Sequence, residues 1–173
     1  MPMRYYLSYV LFLIVAEHQA TSVGSGTRLF VLGQWPQAST PFRVRYKIKV
    51  VRTSEMYSMV LLLNPNGQIR IPACYLIRNE LSCYFRVDTN LDYERIAVDV
   101  QLPLNVYTSI EIQHVYEDAV WKIKWFINGS LQGQLTNQIP ATTYTNVKVD
   151  VAKSEDGAIF YIKDFELEKV YIP

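Results

Sequence analysis

An excess of charge of either sign is what this chain most lacks: 17 Lys and Arg stand against 16 Asp and Glu, for a formal net charge of +1. Such a chain has no electrostatic footprint for nucleic acid or for an anionic membrane surface, so neither is an expected partner. Histidine is also scarce, with two residues, His18 and His114, and so is cysteine, with Cys74 and Cys83. No C-x-x-C pair, zinc spacing, phosphate loop or dinucleotide fingerprint occurs, which removes the common nucleotide, redox and metal chemistries. No apolar run reaches the roughly 18 residues that a membrane-crossing helix needs. After residue 20, no segment sustains a helical period either.

What is present begins with a leader. Arg4 precedes an apolar run from Tyr5 to Ala16, broken only by Ser8, and the chain turns polar at Glu17-His18-Gln19 before Ala20. This is the pattern of a secretory signal peptide over residues 1–20, cut after Ala20 or, alternatively, after Ala16. Its removal takes one Arg and one Glu, leaving the balance of charge unchanged. The expectation is a secreted, extracellular protein whose single domain covers residues 21–173.

An exported chain meets oxidising conditions, in which two cysteines tend to pair. The segment from Ala73 to Tyr84 is nearly symmetric about Arg78-Asn79. A two-residue hairpin loop there sets Cys74 directly opposite Cys83, at a non-hydrogen-bonded position where antiparallel strands come closest. The sequence therefore predicts a structural disulfide, which by closing a short loop stabilises the fold by about 2–3 kcal/mol.

Strand signals fill the remainder. Phe42, Val44, Tyr46, Ile48 and Val50 alternate with Arg43, Arg45, Lys47 and Lys49, a period of two that specifies a half-buried strand with a solvated cationic face. The same period recurs at Ile110-Ile112-His114, at Trp121-Ile123-Trp125-Ile127 and at Val147-Val149-Val151. Shorter candidates are 28–32, 57–63, 68–71, 95–102 and 158–171. Turn chemistry separates them, at Asn64-Pro65-Asn66-Gly67, Asn128-Gly129 and Ser154-Glu155-Asp156-Gly157. About a dozen short strands joined in this way indicate an all-β fold, an antiparallel sandwich or barrel. At the Asn128-Gly129 hairpin, a three-residue loop that includes Ser130 matches the apolar faces, pairing Ile127 with Leu131, Trp125 with Gly133 and Ile123 with Leu135.

Three segments of the C-terminal half carry a resemblance: 107–114 (Tyr-Thr-Ser-Ile-Glu-Ile-Gln-His), 121–131 (Trp-Lys-Ile-Lys-Trp-Phe-Ile-Asn-Gly-Ser-Leu) and 156–167, from Asp156-Gly157 to Leu167. Together they resemble the closing strands of concanavalin A-like jelly rolls, the superfamily of laminin-G-like, galectin-like and pentraxin-like domains. The resemblance implies an antiparallel β-sandwich of jelly-roll type and lectin-like binding. It does not carry over a sugar site. His114 is followed by Val115-Tyr116-Glu117 and Trp35 by Pro36-Gln37, where galectin-like domains have His-x-Asn-x-Arg and Trp-Gly-x-Glu-x-Arg. The Glu-x-Asp-x-x-Glu run of jelly-roll glycosidases is missing as well, so that hydrolase reading has no motif.

Remaining constellations weigh toward structure. Asp88, Asn90 and Asp92 offer oxygen ligands at alternate positions, as a calcium loop does, but Tyr93 stands where that loop has its glycine. They are the weak metal candidates, with calcium the only cofactor in view; the competing reading is a polar turn. His114 shares a face with Ile110 and Ile112, which argues for a buried strand histidine over a catalytic base. Asn128-Gly129-Ser130 is an N-glycosylation acceptor at a hairpin tip. Trp121 and Trp125 alternate with lysines and are expected in the core, whereas Tyr75, Tyr84 and Tyr93 are the better candidates for exposed aromatics. The reading is a secreted, non-catalytic binding module that takes an extracellular glycan or glycoprotein; the alternative is an extracellular protein-recognition or structural module.

Overall fold

The computed structural model describes residues 10–12, 18–20, 27–36, 41–64, 73–86, 93–95, 100–137, 143–153 and 157–169. Its strands are β1 (Val10–Phe12), β2 (His18–Ala20), β3 (Thr27–Pro36), β4 (Phe42–Arg52), β5 (Ser58–Asn64), β6 (Ala73–Ile77), β7 (Glu80–Arg86), β8 (Tyr93–Arg95), β9 (Val100–Gln101), β10 (Thr108–Glu117), β11 (Val120–Ile127), β12 (Ser130–Thr136), β13 (Thr143–Lys153) and β14 (Ile159–Lys169). They form two antiparallel sheets. One runs β1-β14-β4-β10-β11-β12, with β2 also on β14; the other runs β3-β13-β5-β6-β7-β8, with β9 also on β7.

Period-two patterning builds the sandwich. Phe42, Val44, Tyr46, Ile48 and Val50 of β4 all point inward and are at most 1% exposed. They meet Ile110 and Ile112 of β10, Ile123 and Trp125 of β11, and Leu76, Leu81 and Phe85 of the facing sheet in one buried cluster. A layered pair of half-apolar sheets can bury both inner faces only in this way. No helix among the described residues is long and apolar enough to cross a membrane.

The outward face of β4 is the expected solvated cationic stripe, and its charges are paired. Because β4 lies between β10 and β14, its cations sit opposite their carboxylates. Arg43 reaches Glu111 (3.3 Å) and Glu168 (3.4 Å), Arg45 reaches Glu166 (2.9 Å), and Lys47 reaches Asp164 (2.9 Å). The bond from Lys47 holds the Asp164 carboxyl below the usual carboxylate range. Lys49 lies over the rings of Tyr107 and Tyr161, at 4.7 and 4.5 Å from their centroids. Each exposed pair contributes at most about 1 kcal/mol.

Two of the five register shifts in the described ladders bear on the expected pairings. In β14 the inward residues are Phe160 and Ile162, then Phe165 and Leu167, a slip of one residue. The slip is taken up at Asp164, whose φ is +52°, where the pairing with β4 shifts between Lys163 and Glu166. The second bulge corrects the expected 128–130 loop. Asn128 (φ +48°) and Gly129 (φ +79°) form a two-residue turn that places Ile127 directly opposite Ser130. Both φ values are positive, the geometry that Asn-Gly favours and that matches strand twist. A bulge at Gln132 then restores Trp125–Gly133 and Ile123–Leu135, leaving Leu131 opposite Phe126 and 51% exposed.

β1 and β2 fall within the segment read as a leader. Their partners on β14 are Glu166 to Glu168 and Phe160 to Ile162, so residues 10–12 and 18–20 each pair antiparallel with that strand.

Candidate functional site

The disulfide expected between Cys74 and Cys83 is formed. The two residues are direct partners across β6 and β7, their Cα atoms lie 4.1 Å apart, and both are fully buried on the inner face. The hairpin turns at Arg78 (φ +53°), whose backbone N–H donates to Ser54 O at 2.6 Å. Burial keeps the bridge away from solvent reductants, which fits a structural role.

A chain of aromatic rings runs from this core to the surface. Phe85 of β7 lies parallel to Phe42 of β4 (centroids 6.3 Å apart), and Phe42 meets His114 of β10 at 5.3 Å. His114 stacks on Trp121 of β11 (4.6 Å, 21° between planes), and Trp121 meets Tyr116 at 5.2 Å. Sequence period places Tyr116 and Trp121 on the inner face. They are direct partners near the tip of the β10–β11 hairpin, where Trp121 is half-buried and Tyr116 is 51% exposed. The result is an aromatic ledge at one end of the sandwich. A cleft of about 250 Å³ adjoins it, lined by Pro41, Phe42, Gln113, His114, Tyr116 and Glu117 among others. It is smaller than the ~300–1,000 Å³ pockets that engulf drug-sized molecules, and of the two ledge residues Tyr116 lines it.

The ledge is rigidly supported. The Asn137 amide contacts His114 Nε2 at 3.1 Å, and the Asn137 backbone N–H donates to Trp121 O at 2.8 Å. His114 is 1% exposed, in agreement with the buried-histidine expectation. Asp118 and Ala119 form the hairpin tip at φ +53° and +63°. The Lys122 ammonium bonds to Asp118, holding that carboxyl below its ordinary range and raising its own pKa, while Lys124 bonds to Glu117.

Other candidates fall elsewhere. Trp125 is fully buried. Tyr75 and Tyr84 are half-buried on the outer face of the second sheet; their rings meet edge to face, and Tyr57, 55% exposed, joins them. Asn128 is exposed, its Oδ1 accepting from the Ser109 N–H at 2.9 Å. Asp88, Asn90 and Asp92 lie outside the described residues, and among the described residues no three His, Cys, Asp or Glu side chains converge on a metal position. The ledge itself was not singled out from sequence. The signal available was a Tyr and a Trp flanking a four-residue hairpin turn on the inner phase, which marks strand ends where inward aromatics run out of cover.

No protein-family model matches the chain, and no curated protein matches it. Solved structures do. The chain is similar in fold to the binding domain of botulinum neurotoxin serotype D, with a TM-score of 0.66 and 13% identity over 95% of this chain and 42% of that one. It is also similar to the binding domain of botulinum neurotoxin DC in complex with SialylT (TM-score 0.61, 11% identity, 91% of this chain and 40% of that one). The same domain in complex with rat synaptotagmin II matches with a TM-score of 0.56 and 14% identity, over 92% of this chain and 41% of that one. The chain thus spans about two fifths of the length of these structures. At such identities the likeness establishes the fold: an antiparallel β-sandwich of jelly-roll type.

Proposed function

We propose that this chain is a secreted, non-catalytic glycan-binding module whose sugar site is the Tyr116–Trp121 ledge, and that its sandwich is of the concanavalin A-like kind. The observation that carries the reading is a pair of touching aromatic side chains, one half exposed, beside a cleft of about 250 Å³. Aromatic faces of this sort stack on the apolar face of a pyranose. A structural neighbour was solved with SialylT, which supports the choice of ligand class. The leader over residues 1–20 and the Cys74–Cys83 bridge support an extracellular setting. Asn128 is proposed to carry an N-glycan. The amide nitrogen is the atom modified, and Oδ1 keeps its bond to Ser109 whether or not a glycan is attached.

A protein-recognition role is the second reading. It is favoured by Met56, Tyr57, Leu104 and Val106, which are 56%, 55%, 47% and 54% exposed. Large apolar side chains left open to solvent are the material of such surfaces.

The deciding experiment is a glycan array on protein from a secretory host, with Trp121→Ala in parallel and chelator in one arm. Selective binding lost in the variant supports the ledge. Silence of the wild type, with its fold intact by circular dichroism, would turn the assignment to protein recognition. Loss on chelation would assign Asp88, Asn90 and Asp92 to calcium.

A further inference from the structure

We infer that the free border of β12 pairs with the same border of a second copy of this chain, forming a twofold-symmetric dimer in which one sheet continues from molecule to molecule. β12 is the outermost of the described strands on its side of the sheet. Its main-chain groups alternate between β11 and that border. The Asn137 N–H, just past the strand, donates to Trp121 O of β11, so by alternation Gln134 and Thr136 turn their N–H and C=O groups outward. A border of this kind is a template for another strand unless charge or proline guards it.

What β12 presents there fits its own copy. Ser130, Leu131 and Gln132 precede Gly133, and Gln134, Leu135 and Thr136 follow it, so the strand reads alike in both directions, with Ser exchanged for Thr at the ends. Two antiparallel copies about a twofold axis at Gly133 set glycine against glycine and glutamine against glutamine, the self-complementarity that an isologous interface requires. The strand holds no charge and no proline, so no like charges meet across the axis. By contrast, β14, toward the other side of the sheet, carries Lys163, Asp164, Glu166, Glu168 and Lys169. Every β12 side chain is exposed or half-buried in the single copy. The bulge at Gln132 leaves Leu131 opposite Phe126 and 51% exposed, where the axis brings it beside Gln134 of the second copy. Asn128 Oδ1 accepts from the Ser109 N–H, which turns that side chain toward β10, across β11 from this border.

The test is sedimentation equilibrium of the exported protein, treated with N-glycosidase, over a range of concentrations, with amide exchange followed at both ends of that range. The mass is expected to rise to that of two protomers, with the Gln134 and Thr136 amides slower in the dimer than in the diluted monomer. Gln134→Pro deletes an N–H that the β11–β12 ladder does not use and should weaken association by about tenfold or more, the effect of losing a symmetric pair of main-chain bonds. Gln134→Lys keeps that N–H and adds the charge that guarded borders carry, and should also return the protein to one protomer mass. Circular dichroism of each variant reports its fold, and Gln134→Lys decides the matter if the proline variant does not fold. A wild type that stays at one protomer mass throughout would overturn the inference, as would association of unchanged strength in Gln134→Lys.

Discussion

Tyr46 is the residue whose replacement by Phe should make the protein more stable. It sits on the central strand β4, paired with Ile110, and is 1% exposed. Its hydroxyl is buried without a hydrogen-bond partner among the described residues. Leaving a buried hydroxyl unpaired costs about 1–3 kcal/mol, and removing one oxygen forfeits less packing than removal of a methylene, which costs roughly 1 kcal/mol. Tyr46→Phe is therefore expected to gain about 1 kcal/mol, a rise in melting temperature of about 2–4 °C for a domain of this size. Urea unfolding followed by tryptophan fluorescence would show it as a higher midpoint at unchanged slope. The alkaline limb supplies a second signature. Burial pushes the Tyr46 phenol well above its ordinary value near 10, so the folded state retains a proton that the unfolded state releases. Stability is then full below about pH 10 and declines as pH rises above it. Tyr46→Phe should flatten that decline. A midpoint lowered by the variant, with the alkaline slope unchanged, would refute the reasoning by showing that the hydroxyl makes a bond that matters.

Further outcomes follow from the same geometry. Ala119 holds a left-handed conformation (φ +63°) without the side-chain hydrogen bonding that helps Asp or Asn there; Ala119→Gly should stabilise by about 1 kcal/mol in thermal melts, and a loss instead would show that the tip is restrained by something other than φ. Trp125→Ala removes the largest fully buried side chain and should cost about 3–5 kcal/mol, read by denaturant unfolding; a cost below 1 kcal/mol would place Trp125 outside the core. The double variant Cys74→Ala/Cys83→Ala should lose about 2–3 kcal/mol yet keep the hairpin register, seen as unchanged far-ultraviolet dichroism. Ser130→Ala removes the glycosylation acceptor while leaving the Asn128 turn; its exported product should lose any mass released by an N-glycosidase, and an unaltered product would show that Asn128 is unmodified.

What could be read from sequence was whatever local pattern determines. The β4 strand and its inward set follow from strict alternation, and the Cys74–Cys83 pairing from a hairpin whose two arms mirror each other about Arg78-Asn79. The β11–β12 loop was legible only in part. Matching apolar residues across the ladder locates Trp125–Gly133 and Ile123–Leu135, but the Asn-Gly turn imposes its own two-residue loop, and a bulge at Gln132 reconciles the two. Periodicity cannot announce a bulge, because the inserted residue obeys neither face. The same limit hides the slip at Asp164. The ledge escaped for a different reason. Alternation assigns Tyr116 and Trp121 to the inner face correctly, yet whether an inward residue is covered depends on how far the facing sheet extends, which is a tertiary quantity. The ion pairs that clothe β4 likewise depend on which strands flank it, and its own sequence records only the cations.

The cover that β1 and β2 provide along β14 bears on how the exported molecule avoids its own kind at that border. If those strands leave with the leader, β14 becomes the outermost of the described strands in its sheet, with backbone groups open to any chain that can align beside them. Lys163, Asp164, Glu166 and Glu168 punctuate that border, and the kink at Asp164 spoils its straightness, two features that frustrate templated fibril growth. The processed protein would then remain dispersed with a bare border, and rapid amide exchange over residues 160–168 at concentrations that leave light scattering flat would be its signature.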